Sequence, residues 1–472
     1  MHGSRRRCVR FPSPPRGCDH GSIETDGFSS GGPVADAFIV GQERGTGPVR
    51  RAGRGMTGDA LGKPLGLQVE WRTLEIVAVL LALMIQTGAV SVLLLESDGG
   101  LGSGPRMILR AMALPGYAVT LVILARYYVP FLALLRQNLP MALFLVLPFL
   151  SAFWSIGPSV TLRRAIAIFF SILMCYVLAI RFTPRQFLVL STLVIAATLI
   201  LSLLAIVALP GLAFMPQGPE LRGVFVHKNV LGWYAAFGLL LSAALGADRT
   251  LGLRPFAISV FVAALVCLLL SQSGTALITA ALAVAFTVFY ALLRRARPLG
   301  RSFLTLLVLQ STVLFAASVN SFVPALLEGM GKDATLTGRV PLWDLVDQAI
   351  LRRPVLGYGY QAFWSEGSGE AWVIWTKLVW MAPHAHNGYR DTLLSLGLVG
   401  LALLLVVIVR ALRQGAALLS REPSEPWLVL NVLVAVFLVM NMTESLLLQQ
   451  NNFLFILFVT AALMFSRRET PT

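Results

Sequence analysis

Residues 186–209 read QFLVLSTLVIAATLILSLLAIVAL, a run of 24 residues that contains no charged side chain. The hydrocarbon core of a bilayer is about 30 Å thick, so a helix of about 20 apolar residues crosses it. Lipid offers no hydrogen-bond partners to the backbone, which makes a helix the structure that such a run adopts there. This stretch therefore predicts a transmembrane helix, and the chain contains several runs like it.

The composition agrees with a membrane protein. Hydrophobic residues make up 56% of the 472 residues and charged residues 13%, about half of the roughly 25% that is typical of soluble domains. This balance excludes a soluble globular protein. The formal net charge is +15, but the basic residues are mostly arginines between apolar runs, which favours a role in membrane topology over nucleic-acid binding.

Apolar runs long enough to span a bilayer recur along the chain from about residue 74. We find twelve of them, near residues 74–95, 107–125, 139–154, 160–180, 186–209, 228–246, 255–270, 274–293, 302–319, 387–409, 427–443 and 447–465. The boundaries of the third run are the least defined, because Pro140 and Pro148 interrupt it and another apolar patch lies at residues 129–135. The sequence thus predicts an all-α integral membrane protein with about 12 transmembrane helices.

Residues 1–70 are rich in Gly, Pro, Ser and Arg and show no apolar periodicity. They predict a disordered cytoplasmic tail or, alternatively, a mis-assigned start that precedes the true first residue at Met56. Residues 71–319 then carry helices 1–9, residues 320–386 form a loop, residues 387–466 carry helices 10–12, and residues 467–472 form a second cytoplasmic tail. With the N-terminus in the cytoplasm, the arginine clusters lie in the even-numbered connections, as the positive-inside rule requires.

The connection at residues 320–386 is much longer than the others and falls on the outer, periplasmic face in this topology. It contains five tryptophans and an amphipathic stretch at residues 342–351, so we expect it to be partly helical. Loops of this length inside compact proteins usually carry a lid or a functional site. The tryptophans also suit a membrane interface, and that explanation stays open.

Three groups of polar residues interrupt the apolar pattern at the predicted outer face. The first group is Arg222, His227, Lys228 and Asn229, at the start of the sixth helix. A helix N-terminus with neighbouring cations is a suitable binding site for phosphate, and charges at membrane depth usually mark function. Cations that extend toward the lipid headgroups would explain the same residues without a ligand.

The second group surrounds Arg339 in the long loop. Gly338 and Pro341 predict a turn there, and Trp343 begins a helical pattern, so we expect the guanidinium to be held in one direction. A single arginine in a loop is more often simply solvated. Its assignment to a site therefore depends on the residues that come near it.

The third group is His384, His386 and Asn387, at the junction of the loop with the tenth helix. Only five histidines occur in the chain, and His227, His384 and His386 all fall in these outer groups. Imidazole is the side chain best suited to proton transfer near neutral pH, which makes these residues candidate general bases. A metal ion bound by the H-x-H pair and a structural histidine at the helix start are the alternatives.

Two smaller features also lie at the predicted outer face of the membrane. Arg163 and Arg164, at the start of the fourth helix, could hold a diphosphate through paired hydrogen bonds. Glu444, between the last two helices, could be the counter-ion of these arginines or simply a solvated carboxylate in a turn.

The order of these motifs resembles that of the O-antigen ligase and polymerase superfamily. The likeness rests on Arg222-Gly-Val-Phe-Val-His227-Lys228-Asn229, then Gly338-Arg339 with Trp343, then His384-Ala-His386-Asn387 followed by an apolar helix with Gly397 and Gly400. Residues 151–158 (SAFWSIGP) with Leu162-Arg163-Arg164 are similar to the exopolysaccharide-polymerase branch. The resemblance covers about residues 70–466, and its specificity lies in the order and spacing of the motifs.

This resemblance implies a membrane glycosyltransferase that uses no metal ion and no cofactor. Its donor would be a polyprenyl-diphosphate-linked saccharide, and its acceptor a hydroxyl group of another lipid-linked glycan. Arg222 and Arg339 would neutralise the diphosphate, and His386 or His384 would take the proton from the acceptor. Direct displacement predicts inversion at the anomeric carbon. The other residues expected to bind substrate are His227, Lys228, Asn229, Arg163, Arg164, Asn387 and Trp343.

The sequence departs from this pattern at Arg390-Asp391, where the resemblance implies apolar residues. The two charges either adapt the site to a particular glycan or form a local ion pair.

Two other functions stay open. A ligase would use the same donor and transfer the glycan to lipid A core, and a transporter or flippase would move a lipid-linked glycan without covalent chemistry. The clustering of the unusual residues at one face favours an enzyme. We expect a multi-pass protein of the bacterial inner membrane with its active site facing the periplasm. Other polysaccharide-export components are its expected partners, and nucleic acid is not.

Overall fold

The computed structural model describes residues 70–89, 91–94, 103–216, 218–297, 299–300, 306, 310 and 339–467. Four parts of the sequence prediction lie outside these residues: the N-terminal tail, the ninth apolar run near 302–319 except residues 306 and 310, the first part of the long loop, and the C-terminal tail from residue 468. Within the described residues the chain is helical and forms no β-strand, apart from one isolated bridge between Phe214 and Leu221.

The α-helices of the described residues are numbered here in chain order. They are α1 (Trp71–Gln86), α2 (Ser103–Arg126), α3 (Tyr128–Gln137), α4 (Leu139–Leu143), α5 (Leu147–Leu150), α6 (Pro158–Arg181), α7 (Pro184–Ala208), α8 (Pro210–Ala213), α9 (Lys228–Ala247), α10 (Arg254–Ser271), α11 (Gly274–Arg295), α12 (Arg339–Arg352), α13 (Gly369–Leu378), α14 (Gly388–Arg421), α15 (Glu425–Met440) and α16 (Phe453–Ser466). Short 3-10 helices occur at Ser91–Leu94, Ser151–Phe153 and Arg249–Leu251.

Seven helices in the described part are long and apolar enough to cross a membrane, namely α2, α6, α7, α9, α10, α11 and α14. The pair formed by α3 and residues 139–153 adds an eighth span if its two arms, which are bent by 103° relative to each other, count as one. The helices α15 and α16 are apolar but shorter. The prediction of an all-α integral membrane protein is therefore confirmed, while the count of twelve spans stays a prediction.

The third predicted span, near residues 139–154, is not one continuous helix. It consists of α4, α5 and a 3-10 helix, and it turns sharply against α3. Pro140 and Pro148 each occupy the first turn of a short helix. Proline has no N–H to continue a helical hydrogen-bond ladder, so a helix ends before it and a new one starts. The prediction is corrected here to a broken or re-entrant segment.

The last two helices lie at the centre of the bundle. All 14 residues of α16 are buried, as are most residues of α15. α16 packs against α6, α14 and α15, and α15 packs against α11 as well. A helix that is apolar on every side has to be surrounded, so these two helices form the core. The helices α2, α10 and α11 keep many large apolar side chains exposed, which suits contact with lipid.

The residues from 339 to 386 pack on the N-terminal part of α14. They enclose a small apolar cluster with Leu342, Val346, Tyr358 and Phe363 at its centre. The amphipathic stretch predicted at residues 342–351 lies within α12. Because this region has a buried core of its own, it can hold side chains in fixed positions.

Helix α14 is interrupted at Gly397, and the region with the small core hydrogen-bonds to α14 there. Gly397 has φ +63° and ψ −160°, so the helix is interrupted there. The neighbouring chain fills the gap, because the N–H of Leu398 donates to the carbonyl oxygen of Pro354 (2.8 Å) and the N–H of Tyr358 donates to that of Leu394 (2.7 Å). The backbone groups freed by the break are thus bonded to the loop region.

Replacing Gly397 by alanine should destabilise the protein. A Cβ atom there would lie 2.2 Å from the carbonyl oxygen of Val355, and a strained backbone conformation alone costs about 1–3 kcal/mol. We expect a clear fall in the melting temperature of the purified protein in detergent. Gly369→Ala is the matched control, because nothing lies within 4 Å of a Cβ at that position. Equal melting temperatures for the two variants would contradict this account of the break.

Candidate active site

The N-terminus of α14 is fixed by the turn between α15 and α16. The side-chain oxygen of Asn387 accepts two backbone N–H groups of the first turn, both at 3.1 Å, and its amide nitrogen donates to the carbonyl oxygen of Met442 (2.9 Å). The N–H of Gly388 donates to the carbonyl oxygens of Asn441 and Glu444. The predicted substrate-binding residue Asn387 thus holds the helix start in place, with both groups of its side chain bonded within the protein.

The segment before α14 is held from both sides. Trp343 of α12 donates its indole N–H to the carbonyl oxygen of Ala385 (2.8 Å), and the carboxylate of Asp391 accepts the N–H of Ala385 (3.0 Å). Asp391 also accepts hydrogen bonds from the indole of Trp364 (2.7 Å) and from the hydroxyl of Ser445. Trp343, predicted to bind substrate, therefore serves to hold the segment that carries the histidines.

The two imidazoles of this segment lie against each other, with 4.2 Å between the ring centroids. His386 has φ +50°, and its backbone N–H donates to Nδ1 of His384 at 3.2 Å. Because Nδ1 of the neutral His384 ring accepts a hydrogen bond, its proton is on Nε2. Burial and the nearby His386 and Arg339 lower the pKa of His384 well below its usual range, which keeps this ring neutral.

Arg339 and His386 share one buried carboxylate. Nη2 of Arg339 lies 2.9 Å from Oε1 of Glu444, and Nδ1 of His386 lies 3.7 Å from Oε2 of the same group. The Glu444 side chain is 1% exposed, so its charge requires a partner inside the protein. The structure thus brings together a guanidinium and an imidazole that lie in different motifs of the sequence.

Two predictions about Glu444 are wrong. It is not a solvated carboxylate, and its ion-pair partner is Arg339, not Arg163 or Arg164. Arg164 donates to the carbonyl oxygen of Gln361 (2.6 Å) instead, and Arg163 is exposed. The region of residues 339–386 packs so that Arg339 lies at the turn between α15 and α16. This contact joins distant parts of the chain, so no local sequence pattern predicts it.

A small polar cavity adjoins His384. Its volume is about 40 Å³, and the polar residues in its lining include Arg164, Gln361, His384, Asp391, Ser395 and Gln449. A cavity of this size and polarity has room for water. His384 therefore has polar neighbours on this side.

The group at the start of α9 approaches the same charges. Nδ1 of His227 accepts the backbone N–H of Asn229 at 3.1 Å and so caps α9. Loss of solvent around the ring and the neighbouring Lys228 lower the pKa of His227, with a smaller opposing effect of Glu444 and a further lowering by His386. Glu444 and His386 are therefore close enough to His227 to influence its pKa.

Lys228 and Asn229 are both bonded within the protein. Nζ of Lys228 lies 2.7 Å from Oε1 of Glu220, and this ammonium holds the pKa of Glu220 below its usual range. Oδ1 of Asn229 accepts a hydrogen bond from the hydroxyl of Ser273 (3.0 Å). The positive charge of Lys228 is therefore largely compensated.

Arg222 lies in the loop before α9 and is almost completely buried, with 7% of its surface exposed. Its Nε donates to the carbonyl oxygen of Leu212 at 3.0 Å, and burial lowers its pKa. Among the residues that the structure describes, no carboxylate pairs with this guanidinium. A buried cation without a counter-ion has the capacity to bind an anion.

Arg390 and Asp391 do not pair with each other. Arg390 makes two bonds to the carboxylate of Asp347 in α12, at 2.7 and 2.9 Å, and its guanidinium lies over the ring of Trp343. Asp391 holds the segment before α14. The sequence alone predicts neither of these contacts, although two charges at an otherwise apolar helix start are the signal for them.

Part of this site matches a known family. Residues 259–405 match the family model described as O-antigen ligase, and this segment contains Arg339 and the histidine pair, whereas Arg222 and Glu444 lie outside it. The predicted resemblance to O-antigen ligases and polymerases is confirmed.

A curated relative supports the narrower resemblance. The chain is 29% identical, over 306 residues, to the exopolysaccharide production protein ExoQ of Rhizobium meliloti (strain 1021). The match covers 60% of this chain and 66% of the relative, slightly less than two thirds of that protein.

Replacing Trp343 by phenylalanine should loosen the histidine segment. The change leaves the buried carbonyl group of Ala385 without its hydrogen bond, which costs about 1–3 kcal/mol. Trp372→Phe is the matched control, because the indole of Trp372 donates to the carbonyl oxygen of Glu366 at the surface. We expect the melting temperature in detergent to fall for Trp343→Phe and to stay nearly unchanged for Trp372→Phe. If Trp343→Phe is as stable as the control, the bond does not hold the segment.

Proposed function

We propose that this chain is a glycosyltransferase that moves a saccharide from a polyprenyl diphosphate to a sugar hydroxyl at the periplasmic face of the bacterial inner membrane. Extension of a lipid-linked glycan is the reaction that we favour. The reaction needs a proton acceptor and fixed positive charge near a departing diphosphate. The meeting of Arg339 and His386 at Glu444 supports it, together with the family match.

The observation that carries this proposal concerns the three imidazoles that the structure describes. Nδ1 of His227 and Nδ1 of His384 each accept a backbone N–H, at 3.1 and 3.2 Å, so these rings in their neutral form have no free lone pair. Nδ1 of His386 faces the carboxylate of Glu444 and has no hydrogen-bond partner among the described residues. With its proton on Nδ1, His386 has Nε2 free to accept a proton. We therefore infer that His386, and not His384, is the general base.

The diphosphate would be bound by Arg222, Arg339 and His227. Arg222 is a buried cation that no described carboxylate neutralises, and guanidinium groups match phosphate oxygens through paired hydrogen bonds. The Nε2–H group of His227 would add a neutral donor. Lys228 and Asn387 would contribute by holding the backbone, since their polar groups are already bonded.

In the transfer step, the acceptor hydroxyl attacks the anomeric carbon of the donor. Its proton moves to Nε2 of His386 while the new carbon–oxygen bond forms. The bond between the anomeric carbon and the diphosphate oxygen breaks, and its electron pair stays on the diphosphate. Arg222 and Arg339 stabilise the charge that accumulates there. A single displacement of this kind inverts the anomeric centre.

A ligase is the second candidate, because the matched family model is described as O-antigen ligase. The similarity to an exopolysaccharide production protein favours the polymerase. Both reactions use the same donor, base and anion site, and they differ in the acceptor.

Removing the base or the anion-binding arginines should stop transfer. We expect His386→Ala to lower the rate by about 10²- to 10⁴-fold, and Arg222→Ala or Arg339→Ala to lower it by about 10²- to 10³-fold. His384→Ala should have a smaller effect. The measurement is transfer from a lipid-linked oligosaccharide by the purified protein in detergent, without an ion gradient. Arg352→Ala is the control, because Arg352 forms a surface ion pair with Glu370.

Full activity of folded His386→Ala would refute its role as the base. A product on lipid A core, with no longer lipid-linked glycan, would identify a ligase. A third outcome is that the wild-type protein transfers no saccharide and moves the lipid-linked glycan across vesicle membranes. That result would identify a transporter and refute the enzyme.

A further inference from the structure

Glu444 lies between two groups that the proposed reaction uses at the same time. Its Oε1 is 2.9 Å from Nη2 of Arg339, which is a charge-assisted hydrogen bond. Its Oε2 is 3.7 Å from Nδ1 of His386, which is longer than a hydrogen bond. In this arrangement the carboxylate is bonded to the arginine and only faces the imidazole.

The groups around this carboxylate come from different elements. Arg339 belongs to α12, His384 and His386 precede α14, and His227 caps α9. Arg339 is the permanent cation among them. An anion that binds Nη2 of Arg339 therefore competes directly with Glu444 for that nitrogen.

The backbone of Glu444 is anchored, so the carboxylate can move only by rotation of its side chain. Its N–H donates to the carbonyl oxygen of Met440 (3.0 Å), and its own carbonyl oxygen accepts the N–H of Gly388 (2.9 Å). A shift of roughly 1 Å at Oε2 would bring it within hydrogen-bond distance of Nδ1 of His386. The geometry permits this exchange without a change in the fold.

We propose that Glu444 is a positioning residue that changes partner when the donor binds. The donor diphosphate takes over Arg339, and the released carboxylate accepts a hydrogen bond from Nδ1–H of His386. This inference rests on the proposed function, because it requires a diphosphate at Arg339.

The exchange couples donor binding to the strength of the base. A carboxylate bonded to Nδ1–H fixes the tautomer in which Nε2 accepts the proton, and it stabilises the imidazolium that forms. While Glu444 is paired with Arg339, the negative charge of the carboxylate is compensated. His386 then lacks the hydrogen bond to its Nδ1–H. The base is thus fully prepared only when the leaving group is in place.

The variant Glu444→Gln separates this role from a merely structural one. Glutamine keeps the size of the side chain, but its neutral oxygen binds Arg339 more weakly than a carboxylate does. Binding of inorganic pyrophosphate to the purified full chain in detergent should therefore tighten, by up to about tenfold. Turnover should fall by about 10- to 100-fold, the effect of removing a carboxylate that orients a metal-bound imidazole. Tighter binding with slower turnover is the expected signature.

Asp347→Asn is the matched control. It removes another arginine–carboxylate pair of α12, the one with Arg390, and it leaves Glu444 untouched. We expect little change in pyrophosphate affinity for this variant. If Glu444→Gln weakens pyrophosphate binding and turnover alike, the exchange is wrong and Glu444 has only a structural role.

A second measurement decides the matter even if Glu444→Gln does not fold. In wild-type protein with ¹⁵N-labelled histidine, the His386 signals are identified by their loss in His386→Gln. Saturating pyrophosphate should shift the Nδ1 resonance toward the value of a hydrogen-bonded N–H. No change in the wild-type spectrum, or no binding of pyrophosphate, would overturn the exchange.

The two proposals fail in different ways. If the wild-type protein transfers no saccharide, the proposed function fails, whereas pyrophosphate binding and the histidine spectrum still test the partner exchange. If His386→Ala and Arg222→Ala lose activity but Glu444→Gln behaves like Asp347→Asn, the function stands and the exchange is wrong.

Discussion

The ion pair between Arg339 and Glu444 is the interaction on which the arrangement of the site depends. Two charges removed from water are tolerated only when they meet in good geometry. Arg339 begins α12, and Glu444 lies in the turn between α15 and α16, so the pair joins the small loop core to the central helices of the bundle. His386 faces the same carboxylate.

The turn that carries Glu444 is shaped by an amide. Oδ1 of Asn441 accepts the N–H groups of Leu446 and Leu447, both at 2.8 Å, and its Nδ2 donates to the carbonyl oxygen of Phe437 (2.7 Å). Asn441 is fully buried. Non-helical backbone inside a membrane protein needs protein partners for its polar groups. Asn441 supplies them here, and the turn can therefore present a carboxylate to the site.

The sequence predicts the helices of this protein better than the contacts between them. The run at residues 186–209 corresponds closely to α7, because hydropathy over about 20 residues is a local property. The third run is broken because two prolines interrupt it. The histidine group was visible because imidazoles are rare in this chain. The partner of Arg339 was not visible, since 105 residues separate it from Glu444 and their meeting depends on how α12 packs on α14.

The segment that matches the O-antigen ligase model ends at residue 405, before α15 begins. It includes Arg339 and His386, but the carboxylate that both of them face comes later in the chain, and Arg222 comes earlier. In a helical bundle most polar side chains lie at the helix ends. Packing of the helices is what brings the ends of distant segments together. The meeting of Arg339 and His386 with Glu444 therefore depends on how the matched segment packs on a later part of the chain. This is also why the order and spacing of the motifs were informative when no motif was specific on its own.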